Sequence, residues 1–294
     1  MEKSNVVLSC FDGISCGQVA LRKLGIKVST YYASEVDPHA VKITQSNFPF
    51  TVQLGDIRKV IVNNHIDILL GGPPCQDVSL AGKGKGLIEG ERSSLFFEFV
   101  RVLREAKAIN PDLKFLVENT RMKQEYVDII SEILGVEPVL INSNLFSAQN
   151  RARLYWTNFD IPELPKNNKT VGRDIMQRNV CSKYLAGQQL IDNYAGGNQL
   201  NPSYKSQANT IHNLDSKIGC VCAGTHGYGS GYIIEDDFNR IIRKLTPTEW
   251  EKLQTLPIGY TEGVSDTQRY KGIGNGWTVD VICHIMSELK QKEV

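Results

Sequence analysis

The chain has 294 residues, 41% of them hydrophobic and 22% charged: room for one large domain, or for a core domain with a smaller insertion, and too apolar for a disordered tail protein. Its 33 Lys and Arg against 32 Asp and Glu leave a formal charge of +1, which excludes a broadly basic protein that holds polyanions by charge alone. Any surface for nucleic acid must therefore be local. Residues 1–11 lack a basic leader followed by a long apolar stretch, and no later run approaches the roughly 20 apolar residues of a membrane helix, so a cytoplasmic protein is expected. Seven cysteines (Cys10, Cys16, Cys75, Cys181, Cys220, Cys222 and Cys283) form no CxxC pair, and their odd number fits a reducing compartment. Cys220 and Cys222 suggest a metal, but no second thiol or His pair stands at ligand spacing, so no structural zinc is expected.

In chain order, residues 6–11 read as a strand, 14–24 as a helix, 28–34 as a second strand and 39–47 as a second helix. Residues 66–71 (IDILLG) read as a fully buried strand, 94–107 as a helix, 115–118 as a strand and 126–134 as a helix, with 139–142 and 154–157 as the last strands. This alternation predicts an α/β fold on a doubly wound, mostly parallel sheet, whose ligands bind beyond the carboxyl ends of the strands. After about residue 160 Pro, Asn, Gly and Gln become frequent, and the region is read as loop-rich. Helical character returns near residue 243, where Thr246, Pro247 and Glu249 have capping-box spacing, and residues 279–290 are amphipathic. The boundaries expected are 1–159, 160–242 and 243–294, the last returning to the first.

The chemistry-bearing residues follow the strand ends. Phe11-Asp12-Gly13-Ile14-Ser15-Cys16-Gly17 is a turn whose glycines admit a ligand to the backbone before a helix. Glu35 closes the second strand 18 residues after Gly17, near the spacing at which a carboxylate accepts from ribose hydroxyls, and Gly55-Asp56 brings a carboxylate suited to an adenine amine. The order suggests an adenosine cofactor, while the missing GxGxxG disfavours a dinucleotide. Beyond the fourth strand, GGPPCQDVS sets Cys75 after two prolines, a rigid thiol placed as a nucleophile; a buried structural cysteine is the alternative. Residues 81–92 hold four glycines and read as a lid or as an ordinary surface loop. Glu118 ends the next strand, where a carboxyl can give a proton to a ring nitrogen. Alternation through Gln149-Asn150-Arg151-Ala152-Arg153 sends Gln149, Arg151 and Arg153 to one side, as forks for a base and its phosphate or as a solvated pair.

In these residues the chain resembles the DNA (cytosine-5)-methyltransferases of bacterial or phage type, and the resemblance runs over nearly its whole length. The Phe11 to Gly17 turn, Glu35, Asp56, GGPPCQDVS, Glu118-Asn119, QNRAR, a variable region, RKLTPTEWEKLQTLP and YKGIGNGWTV stand in family order. The resemblance implies a methyltransferase Rossmann-like fold with a small target-recognition domain and S-adenosylmethionine as cofactor. It assigns Cys75 to attack C6 of a flipped cytosine, Glu118 to N3 and the exocyclic amine, and Arg151 and Arg153 to the base and active-site loop. For the cofactor it assigns Phe11 to adenine, Glu35 to the ribose and Asp56 to the adenine amine. Gly13 and Gly17 would flank the methionine part, with Ile57, Pro74, Leu95 and Asn275 nearby. Asp77 with GLIEGERSSLFFEF is similar to the animal de novo branch, Thr120 stands where Val is usual, and Gly276-Trp277 replaces a small-residue pair.

The expected substrate is duplex DNA, read as a short site through the 160–239 region, where Lys169, Arg173, Arg178, Lys183, Lys205 and Lys217 could reach bases or phosphates. A monomer is expected, with a cognate restriction endonuclease as a possible partner. The competing readings are a tRNA cytosine methyltransferase, whose Cys-Phe-Thr signature is absent at Cys75-Gln76-Asp77, and an inactive DNA-binding relative, which would be expected to have lost Cys75, Glu118 or the cofactor turn.

Overall fold

The structure, a computed structural model, describes residues 4–74, 94–166, 168–196, 199–200, 210–223, 232–236, 239 and 241–290. The chain packs as two compact units, one of Met1–Ile141, Ala152–Glu163 and Val281–Val294, the other of Asn142–Arg151 and Leu164–Asp280. The segment 142–151 thus falls in the second unit, and the return to the first comes at Val281, where the sequence predicts it near residue 243. No helix among the described residues is long and apolar enough to cross a membrane.

The first unit is built on a seven-stranded sheet of β1 (Asn5–Cys10), β2 (Val28–Ser34), β3 (Val52–Gln53), β4 (Ile68–Gly71), β5 (Lys114–Thr120), β6 (Val139–Asn142) and β7 (Ala152–Thr157), in the order β3-β2-β1-β4-β5-β7-β6. Strands β3, β2, β1, β4 and β5 pair in parallel, and β7 runs antiparallel to β5. The connecting helices are α1 (Cys16–Leu24), α2 (Pro38–Asn47), α3 (Ser94–Ile109) and α4 (Gln124–Leu134). Each has local reasons to begin or end where it does. Helix α1 stops at Gly25, at φ 72° with its N–H on the Arg22 carbonyl, after Arg22 and Lys23 in the last turn. Helix α2 starts behind Asp37, whose side chain accepts from His39 N, with Pro38 at the first helical position.

The core lies where Leu8 and Cys10 of β1, Leu69 of β4, Phe115 and Val117 of β5 and Trp156 of β7 meet Phe96, Phe99, Val100, Leu103 and Ala106 of α3. These strands read as apolar runs because both faces of a parallel sheet are covered. Arg101 of α3 ties this layer to the chain after β3: it donates to the carbonyls of Ile57 and Val60 and pairs with Glu98 and Glu105.

The second unit contains α5 (Gly172–Ile175), α6 (Gln188–Asp192), the paired β8 (Tyr194–Gly196) and β9 (Gln199–Leu200), and a sheet of β10 (Ile211–His212), β11 (Tyr232–Asp236) and β12 (Ile241–Lys244). It continues through α7 (Pro247–Leu253) and α8 (Asp266–Asn275), whereas α9 (Val279–Met286) belongs to the first unit from Val281 on. Helix α7 opens with the capping box expected of Thr246 and Glu249. The same Glu249 accepts from Arg243, and both side chains are almost wholly buried. Losing either partner would leave an uncompensated buried charge.

Gly71 ends β4 opposite Cys10 and Val117, and a Cβ there would stand 2.4 Å from Phe99 Cε2, inside a ring with no exposed surface. Gly71→Ala is therefore expected to destabilise the first unit by about 1–3 kcal/mol through overpacking. Urea unfolding followed by tryptophan fluorescence measures this, and an unchanged midpoint would mean that Phe99 can move aside.

Candidate active site

Five consecutive neighbours in the sheet, β3, β2, β1, β4 and β5, carry candidate residues at or near their carboxyl ends. After β1 the chain bends sharply: Phe11 (φ 59°), Gly13 (φ 58°) and Ser15 (φ 62°) all adopt left-handed backbone within five residues. For Phe11 and Ser15 this conformation is strained, a cost that concentrates at functional turns. Phe11 is partly buried against the core cluster, and Gly17 lies buried in the first turn of α1. At the end of β2, Glu35 is held by three amides: Oε2 accepts from Gly13 N and Oε1 from Val36 N and Asp37 N, each at 2.8 Å. The β1 turn and the β2 carboxylate are thus one assembly. After β3, Asp56 caps the following turn through Arg58 N and pairs with the Arg58 guanidinium, which holds its carboxyl down at about 2. Ile57 is buried beside it, Pro74 is half-buried at the end of β4, and Leu95 of α3 packs against the core. Asn275 is exposed at the end of α8, in the second unit.

Asp12, within the glycine turn, takes its character from the fold. Its Oδ1 accepts from the buried Tyr31 hydroxyl at 2.9 Å, whereas Oδ2 is out of contact with water and has no hydrogen-bond partner. Burial pushes its carboxyl up to about 6, against lowering by the nearby Ser9, Ser15 and Tyr31 hydroxyls and with a further rise from Glu35. An orphaned carboxylate oxygen beside an open glycine turn fits a ligand that brings positive charge, as the methionine end of S-adenosylmethionine does. Gly13 has nothing within 4 Å of where a Cβ would stand, so the turn has space there. No sequence signal marks Asp12, because Tyr31 reaches it only through the pairing of β1 with β2.

On β5, Glu118 is buried and its Oε1 lies 3.0 Å from Arg153 Nε of β7. The register explains the pair: Arg153 stands opposite Thr120, two residues along from Glu118, so the two side chains meet diagonally on one face. The next residue, Asn119, donates to the Pro73 carbonyl at 3.4 Å and ties β5 to the segment that leads into Cys75. Cys75 itself and the glycine-rich stretch 81–92 lie outside the described residues.

Gln149 and Arg151 belong to the second unit and are engaged there. Gln149 donates to Leu253 O and Gln254 Oε1 and accepts from Val221 N. Arg151 donates to the carbonyls of Val221, Gly274 and Gly276. The expected common face of three forks is therefore not what forms: two of them hold main chain, and Arg153 holds Glu118. Of the basic residues expected to face nucleic acid, Arg173 pairs with Asp215, Lys183 with Asp266, and Lys217 donates to the carbonyls of Ser147 and Asn168. The first two are exposed pairs of little energetic weight that another anion could replace. Lys205 and the glycine-rich residues 224–231 lie outside the described residues.

A doubly wound sheet with candidate groups along one strand-end edge is the architecture of an α/β enzyme that takes its ligand at that edge. Solved structures share the fold: the S. pombe Dnmt2 methyltransferase has a TM-score of 0.76 at 19% identity, covering 97% of this chain and 98% of that one. The Entamoeba histolytica methyltransferase EhMeth also has a TM-score of 0.76 at 19% identity, covering 99% of this chain and 100% of that one. Among curated proteins, the type II methyltransferase M1.ScrFI of Lactococcus lactis subsp. cremoris is 31% identical, covering 89% of this chain and 72% of the relative. M.HpaII of Haemophilus parainfluenzae is 30% identical, covering 94% and 86%. The family model of C-5 cytosine-specific DNA methylases matches residues 6–291, and the chain belongs to that family. It is a DNA (cytosine-5)-methyltransferase, and enzymes of this family depend on S-adenosylmethionine.

Asp12 also predicts a trade of stability against function. Its folded pKa of about 6 lies above the ordinary 3.8, so the native state binds the proton more tightly and this group's contribution to stability falls as pH rises from about 4 to 6. Asp12→Asn is expected to unfold at higher denaturant than the parent at pH 7.5, by up to about 3 kcal/mol, with the gain vanishing towards pH 4. Equal stability of the two proteins at pH 7.5 would show that the buried charge carries no such cost.

Proposed function

We propose that this enzyme methylates C5 of cytosine in duplex DNA at a short target site, with Cys75 as nucleophile, Glu118 at the base and the turn after β1 as the cofactor cradle. The observation that carries the assignment of roles is the Glu118–Arg153 pair, and the Asn119–Pro73 bond one residue away supports it. A carboxyl and the root of the candidate nucleophile loop are thereby fastened to adjacent strands at one edge of the sheet.

In this reading the cytosine leaves the stack, at a cost of a few kcal/mol that protein contacts must offset. The Cys75 thiolate adds to C6, and Glu118 contacts N3 and the exocyclic amine, where charge develops. The role of Arg153 is to hold Glu118 in position, and that of Arg151 is to position the backbone at Val221, Gly274 and Gly276. Addition at C6 makes C5 enamine-like and nucleophilic. S-adenosylmethionine, when bound, supplies an electrophilic methyl group for that carbon. Loss of the C5 proton and expulsion of Cys75 then release 5-methylcytosine and the thiolate.

For the cofactor, Glu35 would hold the ribose hydroxyls, Asp56 the adenine amine and Phe11 the adenine face, with Ile57, Pro74 and Leu95 nearby. Asp12 would meet the cationic methionine end, with Gly13 and Gly17 leaving room for it. The reading extends to a monomer acting in the cytoplasm, with a cognate endonuclease as its partner in restriction and modification.

Bisulfite sequencing of plasmid DNA from a host without cytosine methylation tests the assignment directly. Methylcytosine in one short context with the wild type, and none with Cys75→Ala, is the expected result, while calorimetry should find cofactor affinity retained in the variant. Methylation surviving in Cys75→Ala would overturn the nucleophile, and methylation confined to tRNA would overturn the substrate. Arg153→Gln should lower methyl transfer by roughly 10- to 1,000-fold at unchanged cofactor affinity if Glu118 needs its partner; wild-type rates would remove that role.

A further inference from the structure

Cys220 and Cys222 take no part in the chemistry above. They flank Val221, which has no exposed surface, and are themselves half-buried. Alternation along the segment brings both thiols to the side opposite Val221, with their sulfurs 3.6 Å apart. Arg151 Nη1 lies 3.5 Å from Cys220 Sγ and 2.8 Å from the Val221 carbonyl oxygen. The peptide between the thiols is gripped on its other side too, where Val221 N donates to Gln149 Oε1 at 2.9 Å. Gly274 packs on the same backbone so closely that a Cβ there would stand 2.6 Å from the Cys222 carbonyl carbon.

The other described cysteines are placed differently. Cys10 and Cys16 are buried, and burial raises the Cys10 thiol far above its ordinary range. Cys283 faces the Ala20 carbonyl, and Cys181 is exposed. Two adjacent thiols are equipped for redox exchange. Two sulfurs in contact in half-buried residues, with a guanidinium beside one of them, are a setting suited to thiol–disulfide exchange.

We propose that Cys220 and Cys222 are a thiol–disulfide exchange site, oxidised by a small-molecule disulfide, and that its closure loosens the main-chain clamp made by Arg151 and Gln149. One cysteine thiolate attacks a sulfur of the small disulfide, whose S–S bond breaks to release one small thiolate and leave a mixed disulfide. The second cysteine thiolate attacks the protein sulfur of that mixed disulfide, forming the Cys220–Cys222 bond and releasing the second small thiolate. The two protons of the cysteines end on the two small thiols, so the protein loses two electrons and the small disulfide gains them. Closing the bond draws the sulfurs from 3.6 Å to about 2.05 Å, across a ring that spans one intervening residue. A ring this short is strained, which makes the bond readily reducible and the change reversible. It also takes Cys220 Sγ away from Arg151 and turns the Val221 peptide that Gln149 and Arg151 hold.

The test equilibrates the full chain with glutathione buffers of increasing oxidised fraction, quenches with acid and alkylating agent, and weighs the tryptic peptide 218–240, which holds both cysteines. The expected result is a peptide two hydrogens lighter that takes no alkylating agent and recovers both labels after dithiothreitol. Cys222→Ser should instead stop at a mixed disulfide on Cys220. Two alkylatable thiols at every ratio, or two glutathiones on the peptide without closure, would overturn the site. Methyl transfer by wild type should fall severalfold on oxidation, while Cys220→Ser/Cys222→Ser, which can form neither bond, keeps the rate it has when reduced. Both are read at ratios at which Cys75 still takes the alkylating agent in full, and an equal loss in the two proteins would overturn the link to Arg151.

Discussion

Parallel pairing forces the chain to cross a face of the sheet between one strand and the next, so that β1, β2, β3, β4 and β5 all finish at the same edge. Every candidate group of the first unit depends on that constraint. The β1 turn, Glu35, Asp56, Pro74 and Glu118 are far apart in the chain and become neighbours along one edge only because α1, α2, α3 and the segment after β3 carry the backbone back. The strand order reverses between β1 and β4, where the crevice of a doubly wound sheet opens, and the strained Phe11 to Ser15 turn sits there. Apolar burial of α3 against Leu69, Phe115 and Trp156 anchors the sheet beneath this edge.

Charge is used differently in the two units. In the first, the carboxylates at strand ends are held by nearby donors and remain at the ligand edge: Glu35 by three amides, Asp56 by Arg58, Glu118 by Arg153. In the second, buried charges and amides organise main chain. Arg151 collects three carbonyls, Gln149 bridges Val221 to α7, and Arg243 is shared between Glu235 and Glu249. An arginine that satisfies backbone carbonyls removes the cost of burying them, and its planar fork suits several acceptors at once. The two arginines of QNRAR are thus separate devices: one shapes a backbone and the other supports a carboxylate.

Most of the sheet was legible from apolar periodicity. Residues 28–34 and 139–142 form strands with the expected bounds, and the capping box at Thr246 follows from its local spacing. Strand β3 has only two residues, too short for any periodic signal, and the antiparallel sense of β7 is set by its partner rather than by its own composition. The glycine turn and the acidic residues at strand ends were legible because close backbone approach and carboxylate spacing leave marks in the chain. Asp12 left none, since its character comes from Tyr31 and from burial.

The sequence by itself determined the alternation of strands and helices, the turn chemistry at the first strand end, the order of the family motifs and therefore the reaction class, because each of these rests on residues close together in the chain. Only the tertiary structure decided which donors each polar group meets: that Arg153 reaches Glu118 across a diagonal, that Gln149 and Arg151 grip the Val221 peptide, and that Cys220 and Cys222 lie beside that grip. Those partnerships join residues dozens of positions apart, and strand register and burial choose among donors that look equivalent in the sequence.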